Sequence, residues 1–282
     1  MGYQTLDVEL LSGALGAVLH GPDLSAELSN QTFDEIHQAF LDYNVIFFRD
    51  QNLDPQQQIA FGRRFGPLAV YPFMEGLPDA PEAFEILKSE NDTKNFGGAW
   101  HSDMTFVEQP PLGTMLYAME VPARGGDTMF ANTTLAYEAL SDGMKQMLDG
   151  IVGVNSAALK RSGGRAKSFK KSTKMASKNM DRVDMEAEHP IVRTHPETGK
   201  KGLYVGRGHT ARLKDMTEAE SYPLIDFLAD HCVRPEFTCR FRWEVGSLAL
   251  WDNRCAMHFA IDDYPGQRRR MRRLTIEGDT PV

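Results

Sequence analysis

Cysteine is scarce in this 282-residue chain: Cys232, Cys239 and Cys255 are the whole complement, and no two form a CxxC pair. An odd number with that spacing argues against a disulfide framework or a zinc knuckle and fits a reducing compartment. No apolar run approaches the ~20 residues that a bilayer-spanning helix needs. The first residues, Met1-Gly2-Tyr3-Gln4-Thr5-Leu6-Asp7, lack the basic region and apolar block of a secretory signal, so a cytoplasmic location is expected. Positive charge is also in short supply. Lys and Arg number 31 against 39 Asp and Glu, a net charge of −8, which argues against nucleic-acid or membrane-surface binding. There is no internal repeat, no low-complexity tract and no GxGxxG after a strand, which disfavours a solenoid and a doubly wound dinucleotide-binding fold.

What remains is an ordinary globular composition, 41% hydrophobic and 25% charged. A chain of this length buries roughly 70–75% of its unfolded surface and needs no covalent staples. Thr32 with Glu35 reads as a capping box, followed by Phe33, Ile36, His37, Phe40 and Leu41 at helical spacing. Val45-Ile46-Phe47-Phe48 reads as a strand buried on both faces. Asp54-Pro55 predicts the start of a second helix that Gly66 ends. Beyond it the pattern is mostly β, with short strands predicted at Phe84–Leu87, Thr114–Val121, Gly202–Val205, Phe237–Trp243, Ser247–Trp251 and Arg273–Glu277. Helices are predicted at Thr134–Leu148 and Thr217–His231. Many short strands with a few outlying helices point to a mainly β fold with peripheral helices, a sandwich or jelly roll, in one domain over 1–282. Residues 155–180 stand apart as a basic, Gly- and Ser-containing insertion with no acidic residue. They read either as a solvated loop or as a lid that attracts a small anion.

Among eight histidines, His20, His37, His189, His195 and His231 show no partner pattern and read as structural. His101 is different, because Asp103 follows two residues on in Trp100-His101-Ser102-Asp103. On an extended segment both side chains project from one face and reach a single metal ion. Alone that pair is weak evidence. The segment Ser247–Phe259 strengthens it, since a strand ending in a turn delivers His258 from another part of the fold. Two histidines and one carboxylate with open positions form the facial triad of non-haem Fe(II) oxygenases; zinc with the same ligands, activating water, is the alternative. In Gln267–Thr275, Arg269, Met271 and Arg273 share one face of a strand. Two inward guanidinium forks suit a dicarboxylate cosubstrate, whereas a solvated basic edge strand is the plainer reading.

These features together resemble the TauD/TfdA family of Fe(II)- and 2-oxoglutarate-dependent dioxygenases. The resemblance runs from Leu10–Gly21 to Gly278-Asp279 and includes Phe61–Gly66, Trp100–Asp103, Gly125-Gly126-Asp127-Thr128, Val192–Pro196 and Leu250–Asn253. It implies a double-stranded β-helix, with Fe(II) held by His101, Asp103 and His258. It implies that Arg269 and the Thr128 hydroxyl hold the C5 carboxylate of 2-oxoglutarate, and that Arg273 meets the anionic group of the substrate. His195 falls in a matching block without a catalytic role. The implied reaction uses O2 to convert 2-oxoglutarate to succinate and CO2 while hydroxylating a C–H of a small organic anion, a sulfonate or a carboxylate. Where that carbon carries a heteroatom, the product collapses and loses the group. Tyr71 stands where taurine-type members carry histidine, Gly97 where they carry asparagine, and His209 at an aromatic position facing the substrate. Tyr71, Phe73 and His209 therefore suit a larger or aromatic acid, as in the aryloxyalkanoate branch with its ether cleavage. A dimer or tetramer is the assembly the resemblance suggests. A zinc hydrolase would leave Arg269 and Thr128 without a task, and a non-catalytic jelly-roll binding protein would not need the intact triad.

Overall fold

The computed structural model describes residues 2–158 and 185–282. One wall is a seven-stranded sheet in the order β1-β2-β3-β13-β5-β15-β4. Its members are β1 (Asp7–Leu10), β2 (Ala17–His20), β3 (Val45–Phe48), β4 (Phe84–Lys88), β5 (Gly113–Glu120), β13 (Leu248–Asp252) and β15 (Arg269–Ile276). The opposite wall contains β12-β6-β14, built from β6 (Thr128–Asn132), β12 (Thr238–Phe241) and β14 (Ala256–Ala260). It also contains β11-β7-β8, built from β7 (Val152–Ser156), β8 (Glu186–Pro190) and β11 (Thr210–Leu213). A short pair, β9 (Val192–Thr194) and β10 (Lys201–Leu203), completes the strands among the described residues. Apart from β2 with β3, the pairings are antiparallel. Two antiparallel walls packed face to face make the expected jelly roll.

Strand alternation sets the core. Val45 and Phe47 of β3 face the space between the walls, where the Phe47 ring stacks on Phe241 of β12 at 3.9 Å. Ile46 and Phe48 face outward under helices α1 (Asn30–Tyr43) and α2 (Pro55–Arg63), against Ile36, Phe40 and Ile59. Both faces of β3 are thus buried, which is why its sequence is apolar throughout. Helices α3 (Thr133–Glu138) and α5 (Glu218–Cys232) cover the second wall, packing Ala136, Ile225 and Leu228 over Ala131 and Met257.

Several boundaries differ from the sequence reading. Helix α1 starts earlier, because Ser29 is its N-cap and accepts from the Thr32 amide, while Glu35 instead accepts from the amides of Gln4 and Thr5. Asp54 and Gln57 cap α2 reciprocally, and the helix stops at Arg63, short of Phe65. The helix expected over Thr134–Leu148 is two, α3 and α4 (Asp142–Leu148), since Ser141 leaves helical geometry to cap the second. Strand β15 begins at Arg269, four residues before the predicted start, because Arg269–Arg273 pair with Lys88–Phe84 of β4. Of the basic insertion, Asn155 and Ser156 belong to β7, and 159–184 lie outside the described residues. Among the described residues no helix is long and apolar enough to cross a membrane.

Candidate active site

His258 lies on β14 between Met257 and Phe259, and its imidazole faces the interior between the walls. His101 is bound to it backbone to backbone, each amide donating to the other residue's carbonyl at 3.1 and 2.9 Å, which sets their rings 4.2 Å apart. Asp103 is not on an extended continuation. The Ser102 hydroxyl donates to the Ala256 carbonyl, the Asp103 amide donates to Asn253 Oδ1, and Met104 takes the left-handed φ of 47°. This turn brings the carboxylate back, with Oδ1 at 3.8 Å from His101 Nε2 and 3.9 Å from His258 Nε2. Those separations are too long for hydrogen bonds. One ligand atom from each residue lies within 4.8 Å of the others, a spread that one ion at about 2.0–2.2 Å closes with small side-chain rotations.

Protonation favours a cation here. The Ala99 carbonyl can only accept, so at 2.6 Å His101 Nδ1 carries a hydrogen, which leaves Nε2 as the ring nitrogen turned to the cluster. Burial pushes the His258 imidazole well below its ordinary value, with His101 and Arg273 acting in the same sense, so it is neutral. Burial alone would raise the Asp103 carboxyl, but the Arg273 guanidinium beside it outweighs that and holds the group ionised. A second group, His195, Asp252 and Cys255, is as tightly spaced. Its carboxylate, however, accepts from Arg254 Nε and Nη2 at 2.8 and 2.7 Å and lies 3.0 Å from His195 Nε2. The guanidinium already fills the place of a cation beside His195.

The alternation of β15 sorts its arginines. Arg270 turns to Glu85 at 2.7–2.8 Å, and Arg272 donates to Gln58 Oε1 and the Leu53 carbonyl at 2.7 and 2.6 Å. Arg269 and Arg273 face the interior with Met271. Arg269 Nε and Nη2 are buried without a hydrogen-bond partner, and burial pushes the guanidinium below its ordinary value. Trp243 connects it to Thr128, with the ring 5.6 Å from Arg269 Cζ and the indole N–H donating to Thr128 Oγ1 at 2.9 Å. A desolvated cation with open donors is costly until an anion meets it, and a carboxylate fits that fork.

Arg273 Nη2 sits 2.7 Å from Asp103 Oδ2, with Cζ 5.6 and 5.8 Å from the rings of Tyr71 and Phe84. The arginine expected to meet the substrate is therefore also in contact with the clustered carboxylate. Tyr71 stacks on Phe84 at 4.9 Å. On another side, His209 lies edge-on to His101 and Phe106 at 6.0 and 5.1 Å, with Nδ1 3.1 Å from Thr105 Oγ1. Gly97, at φ 82°, borders His101: a Cβ there would stand 3.6 Å from Cε1. His101, Asp103, His258, Arg273, Tyr71 and His209 thus gather around one cluster, while Thr128 and Arg269, the latter on the same inward face of β15 as Arg273, meet around Trp243. Thr114 was named only as a strand boundary, and Trp251 and Asn253 only within the Ser247–Phe259 segment and a matching block, none with a role at the site. All three touch the Asp103 environment.

Comparison with known proteins agrees with this geometry. The model of the family described as taurine catabolism dioxygenase TauD, TfdA family, matches residues 7–275. An alpha-ketoglutarate-dependent sulfate ester dioxygenase of Pseudomonas putida is 36% identical over 283 residues, covering 98% of this chain and 91% of the relative. An alkylsulfatase of Acinetobacter baylyi is 35% identical over 277 residues, covering 98% and 86%. The crystal structure of a taurine dioxygenase from Burkholderia xenovorans matches with a TM-score of 0.83 at 34% identity, covering 99% of this chain and 91% of that one. The chain belongs to the TauD/TfdA family and is an Fe(II)- and 2-oxoglutarate-dependent dioxygenase, an oxidoreductase built on a jelly roll.

Proposed function

We propose that the enzyme hydroxylates the carbon bearing the oxygen of a small alkyl sulfate ester, with sulfonates as the neighbouring class. In this reading His101, Asp103 and His258 hold Fe(II), Arg269 and Thr128 hold the C5 carboxylate of 2-oxoglutarate, and Arg273 meets the substrate anion. The observation that carries it is the pair of buried guanidinium groups on one face of β15, Arg269 with open donors and Arg273 beside the ionised Asp103. Sulfate esters are favoured by the names of the two relatives above, and taurine is disfavoured by Tyr71 and Gly97 at the two departures from taurine-type members.

Bound iron and its cosubstrate supply the oxidant that replaces a substrate C–H by C–OH. The chain's own residues bind and orient. Arg269 fixes one end of the cosubstrate, Arg273 fixes the charged end of the substrate, and the buried rings of Tyr71, Phe73, Phe84 and Phe106 exclude water. Neutral His258 and ionised Asp103 accept a metal without first losing a proton. For R–CH2–OSO3⁻ the product R–CH(OH)–OSO3⁻ breaks its C–O bond to sulfate, giving an aldehyde and hydrogensulfate as the hydroxyl proton passes to the leaving group. The whole chain acts as one catalytic unit, and its three free, buried cysteines support a reducing, cytoplasmic setting. A second reading, cleavage of an aryloxyalkanoate ether, is favoured by the same aromatic wall around Arg273.

The test is succinate formation from 2-oxoglutarate with Fe(II) and ascorbate, across alkyl sulfates, alkylsulfonates, taurine, aryloxyacetates and both enantiomers of aryloxypropionates. Strong stimulation by an alkyl sulfate, with one sulfate and one aldehyde released per succinate, is expected. Stimulation by aryloxyalkanoates alone would transfer the assignment to the second reading. A lack of iron-dependent succinate with every compound would overturn both.

A further inference from the structure

The carboxylate whose Oδ1 faces both histidines has its other oxygen fully engaged. Asp103 Oδ2 accepts from Thr114 Oγ1 at 2.8 Å and from Arg273 Nη2 at 2.7 Å. The direction of the threonine hydrogen follows from its neighbours. Asn253 Oδ1 accepts from the Asp103 amide at 3.2 Å and from Trp251 Nε1 at 3.1 Å, so its amide nitrogen is the end that meets Thr114 Oγ1, at 3.0 Å. Thr114 accepts there and gives its own hydrogen to the carboxylate, which can only accept. The chain of donors runs Trp251 to Asn253, Asn253 to Thr114, Thr114 to Asp103, and all four residues are buried. Thr114 is held from both sides of its strand, opposite Trp251 of β13 and Thr275 of β15, so its hydroxyl is delivered by the rigid centre of the large sheet.

We propose that Thr114, aimed by Asn253 and Trp251, is a positioning residue. With Arg273 it keeps Oδ2 of Asp103 occupied, so that the carboxylate offers the metal Oδ1 alone. This rests on the reading of His101, Asp103 and His258 as the ligands. A carboxylate held to one donor atom would leave the metal more room for cosubstrate and O2 than one that binds through both oxygens.

Thr114→Val and Thr114→Ser separate positioning from packing, because valine keeps the shape without the hydroxyl and serine keeps the hydroxyl without the methyl. The measurements are anaerobic Co(II) titration, the visible spectrum of the Co(II) protein, its affinity for 2-oxoglutarate, and the melting temperature of the metal-free protein. Thr114→Val is expected to weaken Co(II) binding about 10–100-fold, to change the spectrum and to weaken 2-oxoglutarate binding. Thr114→Ser is expected to stay near the parent in all three. Should Thr114→Val fail to fold, Trp251→Phe, which removes only the first donor of the chain, is expected to shift the same three quantities in the same direction by a smaller factor. Parent-like Co(II) affinity and spectrum in folded Thr114→Val, or an unchanged folded Trp251→Phe where it stands in, would overturn the proposal. So would Thr114→Ser as impaired as the valine variant, which would mark a packing role. Failure of the parent protein itself to bind Co(II) would instead overturn the ligand assignment on which the proposal stands.

Discussion

At the scale of single residues, the two inward arginines of β15 differ in what already surrounds them. Arg273 meets Asp103 through Nη2 and leaves Nε without a partner, whereas Arg269 leaves both Nε and Nη2 buried without partners and has no carboxylate in ion-pair contact among the described residues. An unpaired buried donor costs about 1–3 kcal/mol. Arg269→Met should therefore leave the ligand-free protein as stable or about 1 kcal/mol more stable in urea unfolding, while removing the stabilisation that added 2-oxoglutarate gives the parent. Its apparent 2-oxoglutarate requirement should rise about 10–100-fold, the equivalent of a lost charge-assisted hydrogen bond of about 1.5–3 kcal/mol. Arg273→Ala has the opposite profile. It strands a buried carboxylate, so it should lower stability and metal affinity and weaken the prime substrate more than the cosubstrate, as steady-state kinetics with each varied in turn would show. Swapped phenotypes would reverse the two assignments.

At the scale of elements, local hydrogen bonding decides where helices begin. Ser29 satisfies the first amides of α1, and Thr32, although followed by Glu35, lies within the helix. Ser29→Ala should cost about 1 kcal/mol in chemical denaturation, and Thr32→Ala less, because only the first removes the N-cap acceptor. Equal effects would place the cap elsewhere. The same competition splits the helix expected over Thr134–Leu148, since Ser141 offers its oxygen to the Met144 amide and starts a new helix. Strand β15 shows the complementary case, in which an alternation legible in the sequence survives folding intact: Arg269, Met271 and Arg273 face in, and Arg270 faces out to Glu85.

At the scale of the whole molecule, acid sensitivity follows from buried titratable groups on several elements. Burial depresses the His189 imidazole, so the unfolded chain takes up its proton first and stability begins to fall as pH drops through about 6.5. Burial would raise Asp252, but Arg254 and His195 outweigh it and hold the carboxyl below the usual range. Its contribution is complete above about pH 3.9 and is lost as pH falls further. Glu197, lowered to about 2 chiefly by its hydrogen bond with His37, behaves alike from about pH 4.3 downward. Calorimetry of the metal-free protein should accordingly show a shallow loss of melting temperature below about pH 6.5 and a steeper one below about pH 4. A melting temperature independent of pH between 3 and 8 would contradict this.

The amino-acid sequence by itself determined what depends on neighbours along the chain. The helix start at Asp54-Pro55 and the shared face of Arg269 and Arg273 follow from short-range capping and strand alternation, while His101, Asp103 and His258 are picked out by the resemblance of their segments to a known family. Only the tertiary structure decided how those groups meet. Asp103 reaches the histidines through a turn pinned by Asn253, 150 residues away, and not along an extended strand. Thr114 reaches Asn253 across 139 residues, and its part in the site is invisible in its own strand, where it reads as one more β-branched core position. The physical reason is register. Which side chain stands opposite which is fixed when β5, β13 and β15 pair, and a carboxylate's two oxygens become different only when donors from separate strands have claimed one of them.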